Sequence, residues 1–324
     1  MRMYHIKKHK HIVWYIVLAL IGLGMMLYAL SLQNQTSPVM SGYTSYADTS
    51  LEYTPSVRTG TPLSPHAFYT YLTTVPTPRI QARSYLVADL ETGHILLEKD
   101  STRILPIASI TKLMTALVTI DRLPRETITS VSRRALNTGG GLRGNLSQGQ
   151  QLSLNELIYP LLLTSSNEAS EVIAETYGRT FFMEQMNRRA SEIGMWDTRF
   201  DDPSGLSAMN TSTARDLALL MHELALSYEY VLDITRMRSF TGTRQTWVNI
   251  SSLTQEKTFR GGKTGFTNSA GHTSAGVYRI RLYNGAERDF AIIILNSPTR
   301  SEDIARLRGY LEKAFEYHEG VEKL

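Results

Sequence analysis

The chain has 324 residues, of which 42% are hydrophobic, so it can form a folded domain with a substantial core and is not a disordered chain. Arg2, Lys7, Lys8 and Lys10 supply the whole formal net charge of +4, which leaves the remainder neutral and gives no electrostatic reason to expect a nucleic-acid partner. The absence of cysteine excludes disulfide bonds, thiol catalysis and thiolate metal sites.

The first predicted element is an apolar segment, residues 12–32, behind a basic tail of residues 1–11. The segment has no charged side chain, and as a helix it would span about 30 Å, the thickness of a bilayer's hydrocarbon core. Because the basic residues precede it, we expect a single-pass signal anchor in the cytoplasmic membrane, with the rest of the chain extracytoplasmic. The alternative is a cleaved signal peptide, although Ala29-Leu30-Ser31 would be a poor cleavage site.

The next two regions differ in composition and in hydrophobic pattern. Residues 33–80 are rich in Ser, Thr, Pro and Tyr without an apolar period, which predicts a linker with little fixed structure before a domain at 81–324. That domain opens with a predicted β-hairpin, since YLVADL and HILLEK flank the turn residues Glu91-Thr92-Gly93.

The far end of the domain repeats this pattern. Asn284-Gly285 between VYRIRLY and DFAIIILN predicts a second antiparallel pair. Apolar positions at helical spacing from Ile304 to His318 predict a final helix, which Thr299 and Glu302 would open as a capping box. Residues 130–255 show mainly helical patterns. The predicted fold class is therefore α/β, an antiparallel sheet covered by helices with an inserted helical subdomain.

The candidate nucleophile is Ser109, in the stretch ILPIASITKLMTA. Ser109 and Lys112 stand at i and i+3 of a predicted helix and share one face. A neutral lysine amine can activate a serine hydroxyl, but the ordinary lysine pKa lies near 10.4, so burial and a second cation would have to lower it. Taken alone, the pair is more typical of a helix cap followed by a surface lysine.

Two further polar clusters follow in the chain. Ser165 and Asn167 come directly after an apolar helical run, and Lys263-Thr264-Gly265 opens a predicted strand. Ser153-Leu154-Asn155 is a second Ser-x-Asn sequence, but Ser153 precedes Glu156 by three residues, which is typical of a capping box and a structural role.

Three such clusters in this order resemble those of serine acyl-transferases such as penicillin-binding proteins and class A β-lactamases. Over residues 82–318 the chain is similar to the D-alanyl-D-alanine carboxypeptidase family, in the stretches VADLETGHILLEKD, LPIASITKLMTALV, LIYPLLLTSSNEAS, DDPSGLS, STARDLAL and GGKTGFTNSAGHT. The resemblance implies a β-lactamase/penicillin-binding-protein transpeptidase-like fold. It also implies peptidoglycan stem peptides ending in D-Ala-D-Ala as substrate, β-lactam antibiotics as covalent inhibitors, and no cofactor or metal.

The resemblance also implies roles for the motif residues. Ser109 would form the acyl-enzyme with Lys112 as its general base. Ser165 would bridge Lys112 and Lys263 and pass a proton to the departing amine, and Asn167 would bind the substrate's peptide group.

The third motif would serve the other end of the substrate. Lys263 and Thr264 would bind the terminal carboxylate, and Lys263 would also be the cation that keeps Lys112 neutral. Gly265 would let the substrate lie along the strand, and the backbone N–H groups of Ser109 and Phe266 would form an oxyanion hole.

These expectations favour a membrane-anchored, penicillin-sensitive serine D,D-carboxypeptidase. A D,D-endopeptidase that cleaves peptidoglycan cross-links is the first alternative, and a non-catalytic wall-binding scaffold is another. A β-lactamase is disfavoured because no Glu-x-x-Leu-Asn follows the second motif, and zinc hydrolysis is disfavoured because no His-Glu-x-x-His occurs. Asp202-Pro203-Ser204-Gly205 is predicted to be a turn.

Overall fold

The computed structural model describes residues 68–141 and 144–319. The predicted basic tail, the apolar segment 12–32 and the linker as far as residue 67 lie outside these ranges. Within them, no helix has the length and apolar character needed to cross a bilayer.

The strands, numbered in chain order, are β1 (Phe68–Tyr71), β2 (Ser84–Asp89), β3 (Ile95–Lys99), β4 (Leu105–Pro106), β5 (Ile128–Ser130), β6 (Gln151–Ser153), β7 (Thr211–Ser212), β8 (Ser239–Thr241), β9 (Thr246–Val248), β10 (Phe259–Thr267), β11 (Gly271–Arg281), β12 (Glu287–Ser297) and β13 (Phe315–His318). The α-helices are α1 (Thr111–Arg122), α2 (Arg133–Leu136), α3 (Leu154–Leu163), α4 (Asn167–Tyr177), α5 (Arg179–Ile193), α6 (Ala214–Ser227), α7 (Glu229–Arg236) and α8 (Arg300–Ala314). Two 3₁₀ turns cover Ala108–Ile110 and Ser252–Gln255.

Five strands form the main sheet, in the order β10-β11-β12-β2-β3, and every neighbouring pair is antiparallel. The chain contributes β2 and β3 before the helical region and β10 to β12 after it. Both predicted hairpins are confirmed, since β2 pairs with β3 and β11 pairs with β12. The predicted antiparallel sheet covered by helices is confirmed as well.

Helices cover both faces of this sheet. Along β12, Ala291, Ile293 and Leu295 belong to a core shared with helices α1 and α3 to α7, whereas Phe290, Ile292 and Ile294 pack in a second core with α8. Successive residues of a strand point to opposite faces, so the unbroken apolar run AIIIL is buried on both sides.

The linker prediction is wrong for its last part. Residues 68–71 form β1, which pairs antiparallel with β13, and the hydroxyl of Tyr69 donates to Asp89 at 2.5 Å. Arg288 donates to the same buried carboxylate at 2.9 Å and lies over the ring of Tyr317. The domain therefore begins by residue 68, because this strand finds its partner at the other end of the chain.

The final helix also differs from the prediction. Helix α8 ends at Ala314, and residues 315–318 form β13, so His318 does not continue the helical stripe. Thr299 makes no side-chain capping hydrogen bond, so the predicted capping box is not formed. The aromatic residues Phe315 and Tyr317 suit a strand, and pairing with β1 decides between the two conformations.

Candidate active site

Ser109 lies in the 3₁₀ turn that leads from strand β4 into helix α1. The preceding residue, Ala108, has a φ of 50°, a left-handed conformation that is rare for alanine and is found mainly where the surroundings enforce it. Helix α1 is buried on all sides from Thr111 to Thr119. Lys112, which the sequence placed off the apolar stripe, is consequently enclosed in the protein and is 0% exposed.

The amine of Lys112 touches three oxygen atoms. It donates to the carbonyl of Ser204 at 2.5 Å and to Oδ1 of Asn167 at 2.8 Å, and it lies 3.1 Å from Oγ of Ser109. The first two atoms can only accept hydrogen bonds. A neutral amine, with two N–H groups and one lone pair, therefore directs its lone pair at the Ser109 hydroxyl.

The surroundings favour that neutral amine. Burial lowers the pKa of Lys112 well below its ordinary value, the positive charge of Lys263 lowers it further, and the negative charge of Asp202 acts in the opposite direction. Both conditions that the Ser109–Lys112 pair requires, burial and a second cation, are therefore present in the folded chain.

The second motif lies where helix α3 ends and α4 begins. The hydroxyl of Ser166 accepts from the N–H of Ala169 at 3.0 Å, which caps α4 and brings Asn167 onto its first turn. Besides its contact with Lys112, Asn167 donates from Nδ2 to the carbonyl of Gly139 at 3.0 Å. The structure thus joins the first two motifs through the side chain of Asn167.

Ser165 departs from its expected geometry. Its φ is 57°, and its buried hydroxyl has no hydrogen-bond partner among the residues that the structure describes. The expected bridge from this hydroxyl to Lys112 and Lys263 is therefore not formed in this state. Ser153 has the expected structural role, since its hydroxyl accepts from the N–H of Glu156 and caps α3.

The third motif forms one edge of the sheet, on β10. Gly265 lies against the nucleophile's turn, because a Cβ at this position would be 2.8 Å from the backbone nitrogen of Ser109 and 2.9 Å from Cβ of Ala108. Thr264 is half-buried, and Phe266 is 56% exposed with its ring 4.6 Å from that of His272. Only glycine at position 265 allows strand β10 to approach the Ser109 turn this closely.

Lys263 is buried on this edge, 6% exposed, and its amine donates to the carbonyl of Thr264 at 3.1 Å. Burial lowers its pKa to about 7, and Arg300 contributes to the shift. Arg300 itself donates to the carbonyls of Gly265 and Thr273, each at 3.3 Å, while its buried Nε has no partner in the described chain. Two desolvated cations at one edge favour an anionic ligand.

The sequence analysis missed Arg300, although a signal was present. Arg300 is the first residue of α8, and a positive charge at a helix N-terminus opposes the helix dipole. An arginine at that position of a predicted helix therefore suggests a role outside the helix. The described residues contain no cluster of three or more His, Asp or Glu that could hold a metal ion.

Comparison with known proteins identifies one family. The sequence profile of the D-alanyl-D-alanine carboxypeptidase family matches residues 72–279. A D-alanyl-D-alanine endopeptidase of Pseudomonas aeruginosa is 33% identical over 239 residues, covering 71% of this chain and 76% of that protein. The Escherichia coli protein of the same name is 32% identical over 260 residues, covering 74% and 80%.

Solved structures show the same similarity. A D-alanyl-D-alanine carboxypeptidase from Mycobacterium tuberculosis superposes with a TM-score of 0.67 at 27% identity, over 74% of this chain and 94% of that one. Penicillin-binding protein D2 of Listeria monocytogenes, solved in its ampicillin-bound form, superposes with a TM-score of 0.63 at 26% identity, over 74% and 98%.

Proposed function

The chain belongs to the D-alanyl-D-alanine carboxypeptidase family and is a serine-type peptidase, and we propose that it cleaves the bond after D-alanine in peptidoglycan stem peptides. The observation that carries the proposal is the 3.1 Å contact between Ser109 Oγ and the buried amine of Lys112, whose pKa is strongly lowered. This pair can supply a nucleophile and its base at neutral pH without a histidine.

In the proposed acylation, the Ser109 hydroxyl passes its proton to Lys112 while Oγ attacks the carbonyl of the penultimate D-alanine. The N–H groups of Ser109 and Phe266 would stabilise the oxyanion, which suits the close approach of β10 to the Ser109 turn. The leaving amine then takes a proton, which Ser165 would relay from Lys112. Water later attacks the acyl-enzyme, with Lys112 as base, and releases the shortened peptide.

The cationic edge of β10 would bind the carboxylate of the substrate. The family resemblance assigns this role to Lys263 and Thr264, and Arg300, which is half-buried, adds a second cation beside them. A bound carboxylate would favour the charged form of Lys263, because an opposite charge raises the pKa of an amine. The charged amine would in turn disfavour protonation of Lys112, so substrate binding would increase the fraction of Lys112 that is neutral and able to accept the Ser109 proton.

The relatives favour the endopeptidase reaction over the carboxypeptidase reaction that the sequence analysis put first. The Pseudomonas aeruginosa and Escherichia coli proteins, both named endopeptidases, match this chain at 32–33% identity over about three quarters of their length. Incubation with a monomeric pentapeptide and with a cross-linked dimer separates the two reactions. We expect cleavage of the dimer. Release of D-alanine from the pentapeptide without cleavage of the dimer would instead support the carboxypeptidase reaction.

Covalent labelling by fluorescent penicillin tests the acyl-enzyme itself. We expect mass spectrometry to locate the added mass at Ser109, and Ser109→Ala to abolish both labelling and peptide cleavage. Ser153→Ala is a matched control, because that serine caps α3 and should leave labelling unchanged. A folded protein that takes up no penicillin would contradict the proposal and favour the wall-binding scaffold, whereas rapid turnover of penicillin would favour a β-lactamase.

We also propose that residues 12–32 anchor the protein in the cytoplasmic membrane, with the peptidase domain outside. The support is the uncharged run of that length behind the basic tail. The mass of the intact protein recovered from membranes distinguishes an anchor from a cleaved signal peptide. Recovery of a shortened chain in the soluble fraction would contradict the anchor.

A further inference from the structure

The loop from Asp202 to Asn210 presents the carbonyl of Ser204 to Lys112, and a buried carboxylate holds that loop in shape. Oδ1 of Asp202 accepts from the N–H of Ser204, the hydroxyl of Ser204 and the N–H of Gly205, each at 2.7 Å. Oδ2 accepts from the N–H of Ser207 at 2.5 Å and from Nδ2 of Asn210 at 3.0 Å. All of these donors belong to the loop, so the loop is folded around this one side chain.

Asn210 ties the same loop to the nucleophile. Its fully buried side chain accepts from the N–H groups of Asp201 and Asp202, at 3.0 Å and 3.3 Å. The backbone carbonyl of Asn210 accepts at 3.0 Å from the N–H of Ile107, the residue before the turn that carries Ser109. Ser204, near the start of the loop, therefore contacts the general base, and Asn210, at its end, contacts the segment that leads into the nucleophile.

The loop also packs closely against the 3₁₀ turn that carries Ser109. Gly205 has a φ of 85°, and a Cβ there would lie 2.0 Å from the carbonyl oxygen of Ala108. The position accepts only glycine, because any side chain would collide with backbone rather than with a movable group. A displacement of the loop would therefore change the distance between Ser204, Lys112 and Ser109.

Asp202 also acts on Lys112 through its charge. Burial opposes ionisation of Asp202, but hydrogen bonds from Ser207, Ser204 and Gly205 outweigh burial and lower its pKa. Among the described residues, the charged groups that face Lys112 are Lys263 on β10 and Asp202 on this loop, with Arg300 behind Lys263. Asp202 is the negative member of this set and limits how far the pKa of Lys112 falls.

The geometry points to Asp202, together with Asn210, as the positioning residue of the general base. It holds the Ser204 carbonyl against Lys112, so that the lone pair of the neutral amine faces Ser109. When the hydroxyl proton moves to that lone pair and Oγ bonds to the substrate carbonyl, the ammonium so formed lies among three acceptors and near the charge of Asp202. This inference rests on the proposed acyl-transfer function.

The test measures the rate of acylation by a fluorescent penicillin as a function of pH in Asp202→Asn. We expect a fall in rate on the order of 10- to 100-fold, because the acceptor that orients the base is displaced. We also expect the acid limb of the pH profile to move to lower pH, since removing the negative charge lowers the pKa of Lys112. Asp201→Asn removes the same charge from an exposed neighbour and should leave both quantities near wild type.

Asn210→Ala separates geometry from charge. It breaks the hydrogen bond to Asp202 but keeps the carboxylate, so the rate should fall while the acid limb stays in place. If Asp202→Asn does not fold, Asp202→Ser removes the same charge and keeps an oxygen that can accept from the N–H of Ser204 in the turn. The amount of penicillin bound per chain gives the active fraction, to which every rate is normalised.

Several results would overturn the inference. A folded Asp202 variant with the wild-type rate per active molecule would do so, because a purely structural role predicts only fewer active molecules. A reduced rate with an unshifted acid limb would also overturn it, because the charge of Asp202 would then not act on Lys112. If neither Asp202 variant folds, a wild-type rate in Asn210→Ala overturns it. Failure of the wild-type protein to bind penicillin would refute the proposed function itself, so the wild-type sample tells the two failures apart.

Discussion

Replacing Gly265 with alanine tests the close approach of strand β10 to the nucleophile. The new Cβ would lie 2.7 Å from Oγ1 of Thr273, 2.8 Å from the nitrogen of Ser109 and 2.9 Å from Cβ of Ala108. Carbon atoms in contact prefer separations of about 3.5–4.0 Å, so the strand and the turn must move apart by roughly 0.6 Å. The turn contains the Ser109 N–H, one of the two proposed oxyanion donors.

The expected effect on catalysis exceeds the effect on folding. Overpacking of this kind typically destabilises a protein by about 1–3 kcal/mol. Misplacement of a catalytic group by an ångström can slow a reaction by about 100-fold, so we expect acylation of Gly265→Ala to be slower on the order of 10- to 100-fold. The loss should appear in the acylation step rather than in the initial binding of penicillin.

Time-resolved penicillin labelling measures the rate, and urea unfolding measures the stability of the same samples. Gly309→Ala is the matched control, because a Cβ at this position on helix α8 has no neighbour within 4 Å. It should stabilise the protein by up to about 1 kcal/mol and leave acylation unchanged. A folded Gly265→Ala protein that acylates at the wild-type rate would refute the steric reasoning.

Three further substitutions test other parts of the structure. Lys263 has a pKa of about 7, so the wild-type affinity for a carboxylate substrate should fall as pH rises through 7. Lys263→Met should bind this substrate weakly at every pH. Because the substitution removes a buried charge, it should also raise the melting temperature, and a lower melting temperature would contradict this. Arg288→Met leaves the buried carboxylate of Asp89 without its ion-pair partner and should reduce the free energy of unfolding in urea by about 3–5 kcal/mol; a loss under about 1 kcal/mol would contradict it. Ser165→Ala removes a hydroxyl that has no partner in the described chain, so stability should change by less than about 0.5 kcal/mol while acylation slows at least about tenfold; unchanged acylation would exclude the proton relay.

Much of the site could be predicted from the sequence because its chemistry depends on short spacings. Ser109 and Lys112 are neighbours in any helix that contains them, and the 3.1 Å contact follows from that spacing. Likewise, Ser153 could be assigned to a helix cap because Glu156 lies at the capping-box distance. The hairpins at Gly93 and Gly285 were equally local predictions.

Other site residues could not be found in this way because they act across the fold. Asp202 affects Lys112 through a backbone carbonyl two residues later. The residue pattern predicted a turn at that position, and the family resemblance of DDPSGLS assigned no role to Asp202. Arg300 reaches Gly265 and Thr273 from a separate helix, although its place at the helix N-terminus gave a weak signal. Neither contact is encoded in a spacing.

The sequence by itself determined the antiparallel sheet, the helical cover and the order of the three motifs, because turn residues, periodicity and short motifs are local properties. Only the tertiary structure decided that residues 68–71 are a strand and that the last helix stops at Ala314, since β1 and β13 stabilise each other across the whole domain. It also decided the state of Lys112. The same residue would be an ordinary protonated side chain on an exposed helix, and burial beside Lys263 makes it a base.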